Sequence, residues 1–447
     1  MVKVALVMCG GIGSRLWPLS TNDNPKQFLN LFNNNTLLHN TINRIPQDIE
    51  IFIVTNIKYK HYIENNYPNY NVIYETERKN TGTAIILCVH YLINNLHYDP
   101  INTDIIVLPA DHYMEKEEFI NCLNIGFTDI LNQSIITFGI KPTYPEVGYG
   151  YINPDKTNEK IKKIINFVEK PNLYQACKFI DSGYLWNSGI FIFNLNTILL
   201  EYEFYANTLF NNAKITIMNT KDNIFASIND IEHQFDKIIM EKTRLGKVIE
   251  FNGLWSDIGD WSRIYDINNK DENNNVIQNK NSCNLLNVNN SLINIDYGNL
   301  IGINLNDLVI IKKDSNILIS DRKSCDNIKL FTIDKNVSRP WGYYNILHES
   351  DDCKVKKIFV YPNKRLSYQY HKYRSEKWTI ISGSGIITLD DNKINVNAGD
   401  MISIEKLQKH RIENIGNDVL IFIETQLGTY FGEDDIIRLD DDYGRTE

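Results

Sequence analysis

"VMCGGIGSRLWPLS", residues 7–20, decides how the N-terminal half is read. A short valine-rich apolar run (Val2, Val4, Ala5, Leu6, Val7) stops at a glycine cluster, as a strand does when it enters a tight turn. Gly10, Gly11 and Gly13 lack a Cβ, so backbone N–H groups in the turn can close on a phosphate. A Walker A loop is excluded, because no Lys-Ser or Lys-Thr follows these glycines. A dinucleotide fingerprint fails as well, since Leu16 stands where the third glycine belongs. What remains is a glycine turn that carries its own cation, Arg15, with Lys26 close behind in "NPKQF". A guanidinium fork and an ammonium together suit a triphosphate. A tight strand-to-helix turn with a surface arginine is the alternative that this motif alone leaves open.

Working outward, 447 residues exceed one ordinary core and imply two or three domains. Up to about residue 262, apolar runs such as "IEIFIVT" (49–55), "TDIIVLPAD" (103–111) and "SIITFGI" (134–140) alternate with stretches that can be helical. This is the pattern of an α/β sheet covered on both faces. Between 276 and 325 short apolar dyads and triplets recur between Asn, Asp and Gly turns, which predicts a few β-solenoid-like coils or irregular hairpins. From about 338 the strands read as antiparallel: "CKVKKIFVYP", "EKWTIISGSGIITL", "NKINVNAGDMISI" and "DVLIFIETQLG" suit a small closed barrel or jelly roll. The expected division is 1–262, 263–335 and 336–447.

The chain is 43% hydrophobic and mildly acidic, with 46 basic against 55 acidic side chains. It shows no basic stripe of the kind that binds nucleic acid or an anionic membrane, so neither is an expected partner. The N-terminal apolar run is too short to span a bilayer and lacks a signal-peptide cleavage pattern, so a cytoplasmic setting is expected. Seven scattered cysteines without a C-x-x-C pair indicate reduced thiols. Whether the chain forms a homo-oligomer stays open.

Residues that end strands face the ligand crevice of an open α/β sheet. "IIVLPADH" ends a strand on Asp111, and "GLWSDIGDW" frames Asp257 between two tryptophans. Two carboxylates converging on one crevice make a hard oxygen site for Mg²⁺, with nucleotide phosphates completing the shell. Taken singly, a strand-end Asp is equally a cap or turn residue.

"GGIGSRLWPLS" with "PKQF", "ERKNTGTA" (77–84), "LPADH" (108–112), "PEVGYGYI" (145–152), "FVEKP" (167–171), "WNSGIF" (186–191), "FDKIIMEKT" (235–243) and "WSDIGDW" (255–261) occur in the order seen in one family. With "RPWGYY" (339–344) and "GEDDIIRLDDDYGR" (432–445), the chain resembles the long mannose-1-phosphate guanylyltransferases that carry a mannose-6-phosphate isomerase-like cupin. The resemblance implies a Rossmann-like nucleotidyltransferase domain followed by an all-β cupin, with GTP and mannose 1-phosphate as substrates and Mg²⁺ as cofactor. It makes Arg15, Lys26, Asp111 and Asp257 the catalytic set, the first two and Gly10, Gly11 and Gly13 holding nucleotide phosphates and the two aspartates holding the metal. Sugar selection falls to Gly150, Glu169, Lys170 and Asn187, although Glu169-Lys170 alone reads equally as an exposed pair at a strand end. Another sugar-phosphate nucleotidylyltransferase, or a non-catalytic sugar-nucleotide sensor, would share much of this set.

In the C-terminal part, "LSYQYHKYRSEKW" keeps one histidine, His371, where cupins usually show H-x-H; Tyr373 takes the second place. Gln369, His371, Glu376 and His410 remain as metal ligands, a poorer set for Zn²⁺ or another divalent ion than three imidazoles. Retained isomerase activity and a purely structural cupin are both open on this reading.

Overall fold

The valine-rich run forms β1 (Val2–Cys9), and its alternation builds two cores at once. Val4 and Leu6 enter one core with Ile85, Ile86 and Val89 of the helix Asn80–Asn94. Ala5 and Val7 enter the other with Leu38 and Ile42 of the helix Leu37–Arg44. Successive side chains point to opposite faces of a strand, so a central strand buried on both sides reads as a continuous apolar run.

This computed structural model describes the chain except residues 12, 22–23, 33–34, 78–79, 131–132, 221, 227, 229–232, 279–281, 333–335, 351, 433–434 and 444–447. Ile12 of the glycine turn, Arg78 and Lys79 of "ERKNTGTA", and part of the 432–445 string therefore lie outside the described residues. The remaining strands of the main sheet are β2 (Glu50–Asn56), β3 (Asn71–Glu75), β4 (Thr103–Pro109), β5 (Ile135–Ile140), β6 (Gly150–Pro154), β7 (Ile161–Glu169), β8 (Leu185–Asn194), β9 (Ile224–Phe225) and β10 (Gly246–Phe251). They lie in the order β9-β3-β2-β1-β4-β8-β5-β10-β7-β6. The first five are mutually parallel, and β8 runs antiparallel to both its neighbours β4 and β5. The register of β1 against β4 fixes where the loops emerge. Val7 sits opposite Leu108 and Met8 opposite Pro109, so the glycine turn after β1 and Asp111 after β4 leave the sheet at one edge.

The chain divides into two compact units, Met1–Thr332 and Ile333–Glu447. The stretch expected as a separate segment, 263–335, belongs with the first unit as far as Thr332, and a shared core explains why. Val276, Leu292, Val309 and Ile311 of that stretch pack in one cluster with Leu16 of the glycine turn, Leu29, Leu37, Ile258 and Trp261. The strands there pair in parallel, Val276 with Leu292 and Leu292 with Val309, beside a second parallel pair, Cys283–Asn289 with Leu300–Asn306. Asn316–Asp321 then pairs antiparallel with Leu308–Lys313 and ends the ladder.

The second unit stacks a six-stranded and a five-stranded antiparallel sheet over a core that includes Trp378, Ile387, Ile412, Leu420 and Phe422. The run "EKWTIISGSGIITL" serves both sheets. It breaks at Gly383, whose φ of +87° suits glycine, and passes the chain from Arg374–Ser382 in one sheet to Ser384–Leu389 in the other. Among the described residues, no helix is long and apolar enough to cross a membrane.

The shared core makes a prediction about truncation. A chain ending at residue 262 uncovers Leu16 and Trp261, and each large apolar side chain left bare costs about 1.5–3 kcal/mol. Thermal melts should show that chain destabilised or insoluble, whereas one ending at Thr332 melts cooperatively. Equal melting of both would contradict the shared core.

Candidate functional site

Beyond β1 the chain turns at Gly13, with φ +72°, and a Cβ there would lie 2.4 Å from the Lys26 Cβ. Only glycine lets Lys26 pass so closely. Lys26 is buried, and its ammonium pairs with the Asp111 carboxylate at 3.0 Å while also donating to the Asp257 backbone carbonyl. Gly11 stands against the same aspartate, its Cβ position 3.7 Å from Asp111 Oδ2. Arg15 and Asp257 face one another across Gly259, whose Cβ position is 3.4 Å from Arg15 Nη1 and 3.0 Å from Asp257 Oδ2. The turn, both cations and both aspartates therefore converge at one edge of the sheet.

The two aspartate segments are also bonded to each other. Tyr113–Met114, just after Asp111, pairs antiparallel with Trp255–Ser256, just before Asp257. The Glu115 N–H donates to the Leu254 carbonyl at 3.0 Å, extending that link. Burial opposes charge on Asp111, yet Lys26 and His112 hold its carboxyl below the usual range. Burial pushes the His112 imidazole down to about 4, so it is neutral at pH 7. Two carboxylates, both hard oxygen donors, beside the glycine turn fit a divalent cation of the Mg²⁺ class.

Alongside lies a cleft of about 320 Å³ lined by Cys9, Gly10, Glu75, Asn80, Thr81 and Asp111, among others. Glu75 carries no motif, and Asn80 and Thr81, although they lie within "ERKNTGTA", are not singled out there as site residues.

A second group gathers about the β6–β7 pair. Glu169 pairs in register with Gly150, where a Cβ would meet Glu169 Oε2 at 2.8 Å. Lys170, in the left-handed region at φ +50°, pairs with Glu169 at 3.0 Å. Asn187 accepts from Thr137 Oγ1 at 2.9 Å and donates to Asp236 at 2.8 Å. Asp236 is the link that reading residue by residue misses, even though its string "FDKIIMEKT" stands out. Burial, with the Glu169 charge beside it, pushes its pKa up to about 7.

In the second unit His371, Glu376 and His410 bring their ligand atoms within 4.8 Å of one another. The His410 Nδ1 donates to the Gln408 carbonyl at 2.8 Å, and the His371 Nδ1 faces the Asp435 carbonyl at 3.4 Å. Carbonyls only accept, so each Nδ1 carries a proton, and in the neutral ring each Nε2 is a bare lone pair. Those Nε2 atoms lie 3.1 and 3.6 Å from the Glu376 carboxylate and have no hydrogen-bond donor among the described residues. Lone pairs facing a carboxylate repel unless a cation sits between them, and this donor set fits a divalent metal. Gln369, expected beside them, accepts from Ser367 Oγ at 2.7 Å and borders a small cavity with Glu376. Gln426, which no sequence pattern points to, donates to Glu376 at 3.0 Å.

Comparison with known proteins places this geometry in a class. The Nucleotidyl transferase family matches residues 4–274, and the Mannose-6-phosphate isomerase C-terminal family matches residues 326–441. Mannose-1-phosphate guanylyltransferase 2 of Escherichia coli O157:H7 is 33% identical over 98% of both chains. The alginate biosynthesis protein AlgA of Pseudomonas putida is 30% identical over 100% of this chain and 97% of its own length. A Thermus thermophilus structure titled mannose-1-phosphate geranyltransferase superposes with TM-score 0.68 over 74% of this chain and 99% of its own, at 24% identity, and shows likeness of fold. The chain belongs to the mannose-1-phosphate guanylyltransferase family, in its long form with an isomerase-like second domain.

The glycine geometry separates two substitutions that look alike in sequence. Gly13→Ala forces Lys26 aside and should weaken triphosphate binding by at least about 10-fold, roughly one charge-assisted hydrogen bond. Gly10→Ala has open space for its methyl group within the protein and should melt as the parent does, whereas Gly13→Ala should melt lower. Thermal melts, with isothermal titration of GTP for Gly13→Ala, check this, and equal melting of the two variants would contradict this packing.

Proposed function

We propose that the first unit makes GDP-mannose from GTP and mannose 1-phosphate in a cytoplasmic setting. A phosphate oxygen of the sugar attacks the α-phosphorus, the bond from that phosphorus to the β-phosphate bridge breaks, and pyrophosphate leaves. The single observation that carries this reading is Lys26, buried and pinned between Asp111 and the Asp257 segment beside the glycine turn. Such a reaction needs no covalent nucleophile, only two mutually repelling anions held together with their charge offset.

In this reading the turn amides and Arg15 hold the outer phosphates and Lys26 meets the α-phosphate. Asp111 and Asp257 would hold Mg²⁺, which when bound offsets charge on the nucleotide phosphates. The nucleoside lies in the 320 Å³ cleft. Glu169, Lys170 and Asn187 select the sugar, Lys170 meeting its phosphate and the other two its hydroxyls, with Asp236 fixing the Asn187 amide. The parallel ladder within 276–313 acts as a short solenoid-like brace on the glycine turn.

A screen of four nucleoside triphosphates against several hexose 1-phosphates, following pyrophosphate release, should single out GTP with mannose 1-phosphate and should stop in EDTA. Asp111→Asn or Asp257→Asn should lower the rate at least about 10²-fold. Equal turnover of all nucleotides, or full activity in chelator, would contradict the reading.

For the second unit the bare imidazole nitrogens facing Glu376 favour a metal-holding cupin, with mannose-6-phosphate isomerisation as its activity. The metal would be Zn²⁺ or another divalent ion held by His371, Glu376 and His410. Metal analysis should find about one equivalent in the parent and loss in Glu376→Gln. His371→Ala should leave nucleotidyl transfer unchanged and remove isomerisation; a strong fall in transfer would show that the two sites are coupled.

A further inference from the structure

Arg44 ends the helix Leu37–Arg44, is 5% exposed, and has no carboxylate partner among the described residues. A buried guanidinium without an acid is costly, and burial lowers its pKa to about 10. What it holds is backbone. Its Nη1 donates to the Met114 carbonyl at 3.2 Å, and its Nη2 donates to the His112 carbonyl at 3.3 Å and to Thr41 Oγ1 at 3.1 Å. Thr41 lies three residues earlier on the same helix face and donates to the Ala110 carbonyl at 3.1 Å. The Phe119 ring supports the guanidinium from one side, 5.3 Å from its centroid.

Three carbonyls, those of residues 110, 112 and 114, are thus fixed by one helix turn, and Asp111 lies between the first two. The effect reaches further, because Tyr113–Met114 is the strand that pairs with Trp255–Ser256 ahead of Asp257. We infer that Arg44, with Thr41, is a positioning residue that sets the separation of Asp111 and Asp257 without touching substrate. The inference rests on the guanylyl-transfer reading for its kinetic consequence, but its structural consequence stands apart from it.

A fork of planar donors is what the role requires, since one ammonium cannot reach carbonyls two residues apart in the same geometry. Arg44→Met keeps the apolar stem and removes the fork. Arg44→Lys keeps the charge, and Thr41→Val removes only the hydroxyl. Hydrogen–deuterium exchange on the full chain without ligands should show amides in 110–115 exchanging at least about 10-fold faster in Arg44→Met, with exchange in β1 and β4 unchanged. Arg44→Lys should fall between it and the parent. The kinetic counterpart is a kcat at least about 10-fold lower, KM for GTP within about 2-fold, and a several-fold higher Mg²⁺ concentration for half activity.

A purely structural arginine would lower the melting temperature and speed exchange throughout the unit while leaving the Mg²⁺ dependence as in the parent, and that result overturns the inference. Should Arg44→Met not fold, Thr41→Val and Arg44→Lys carry the same comparison, and parent-like exchange in 110–115 for both overturns it. An inactive parent would sink the guanylyl-transfer reading while the exchange result still decides the role of Arg44.

Discussion

A buried ammonium organises the first unit. Lys26 passes within contact of Gly13, pairs with Asp111 and donates to the backbone at Asp257, so three segments distant in sequence meet on one charge. Lys26 is buried and Asp111 partly exposed, and parting them leaves the buried ammonium without its carboxylate, so the contact resists displacement. The surrounding structure serves this meeting point. The parallel pairing of β1 with β4 brings the first two segments to one edge, and the short Tyr113–Met114 ladder brings the third. The core built on Leu16, Trp261 and Val309 ties the glycine turn to the helix that follows Asp257 and to the 276–313 strands.

The second unit manages buried charge in the opposite way. Glu376 is buried, with the Arg374 Nε 3.5 Å from its carboxylate. Trp378 Nε1 and Gln426 Nε2 each donate to it at 3.0 Å. Glu424, with Lys356 at 3.3 Å, is pushed up by burial and by Glu376 beside it. In the first unit a lysine closes an ion pair beside the glycine turn. In the second, two imidazole lone pairs converge on a carboxylate. Both arrangements leave electrostatic work for a ligand to complete.

Much of this is legible in the sequence because it rests on local pattern. The valine run, the glycine cluster and Asp111 at the end of "IIVLP" announce a strand, its turn and its edge, and the Asn and Asp turns at 276–325 announce short strands. The rest depends on long-range packing. Nothing near residue 276 shows that Val276, Leu292 and Val309 cover Leu16, which joins that stretch to the first unit. Gln426 and Arg44 carry no motif of their own, and the string that holds Asp236 does not say what Asp236 does; each acquires its place only when a distant strand or turn arrives beside it. The cupin histidines are visible as residues, but the bareness of their Nε2 atoms comes from carbonyls that the fold delivers.

The central claim is that Lys26 and Asp111 act as one unit. A double-mutant cycle on kcat/KM for nucleotidyl transfer, using Lys26→Met, Asp111→Asn and the combined variant, tests it most directly. The account predicts that the double variant is scarcely worse than the poorer single one, a coupling of at least about 2 kcal/mol. Losses that multiply, with coupling near zero, would contradict it.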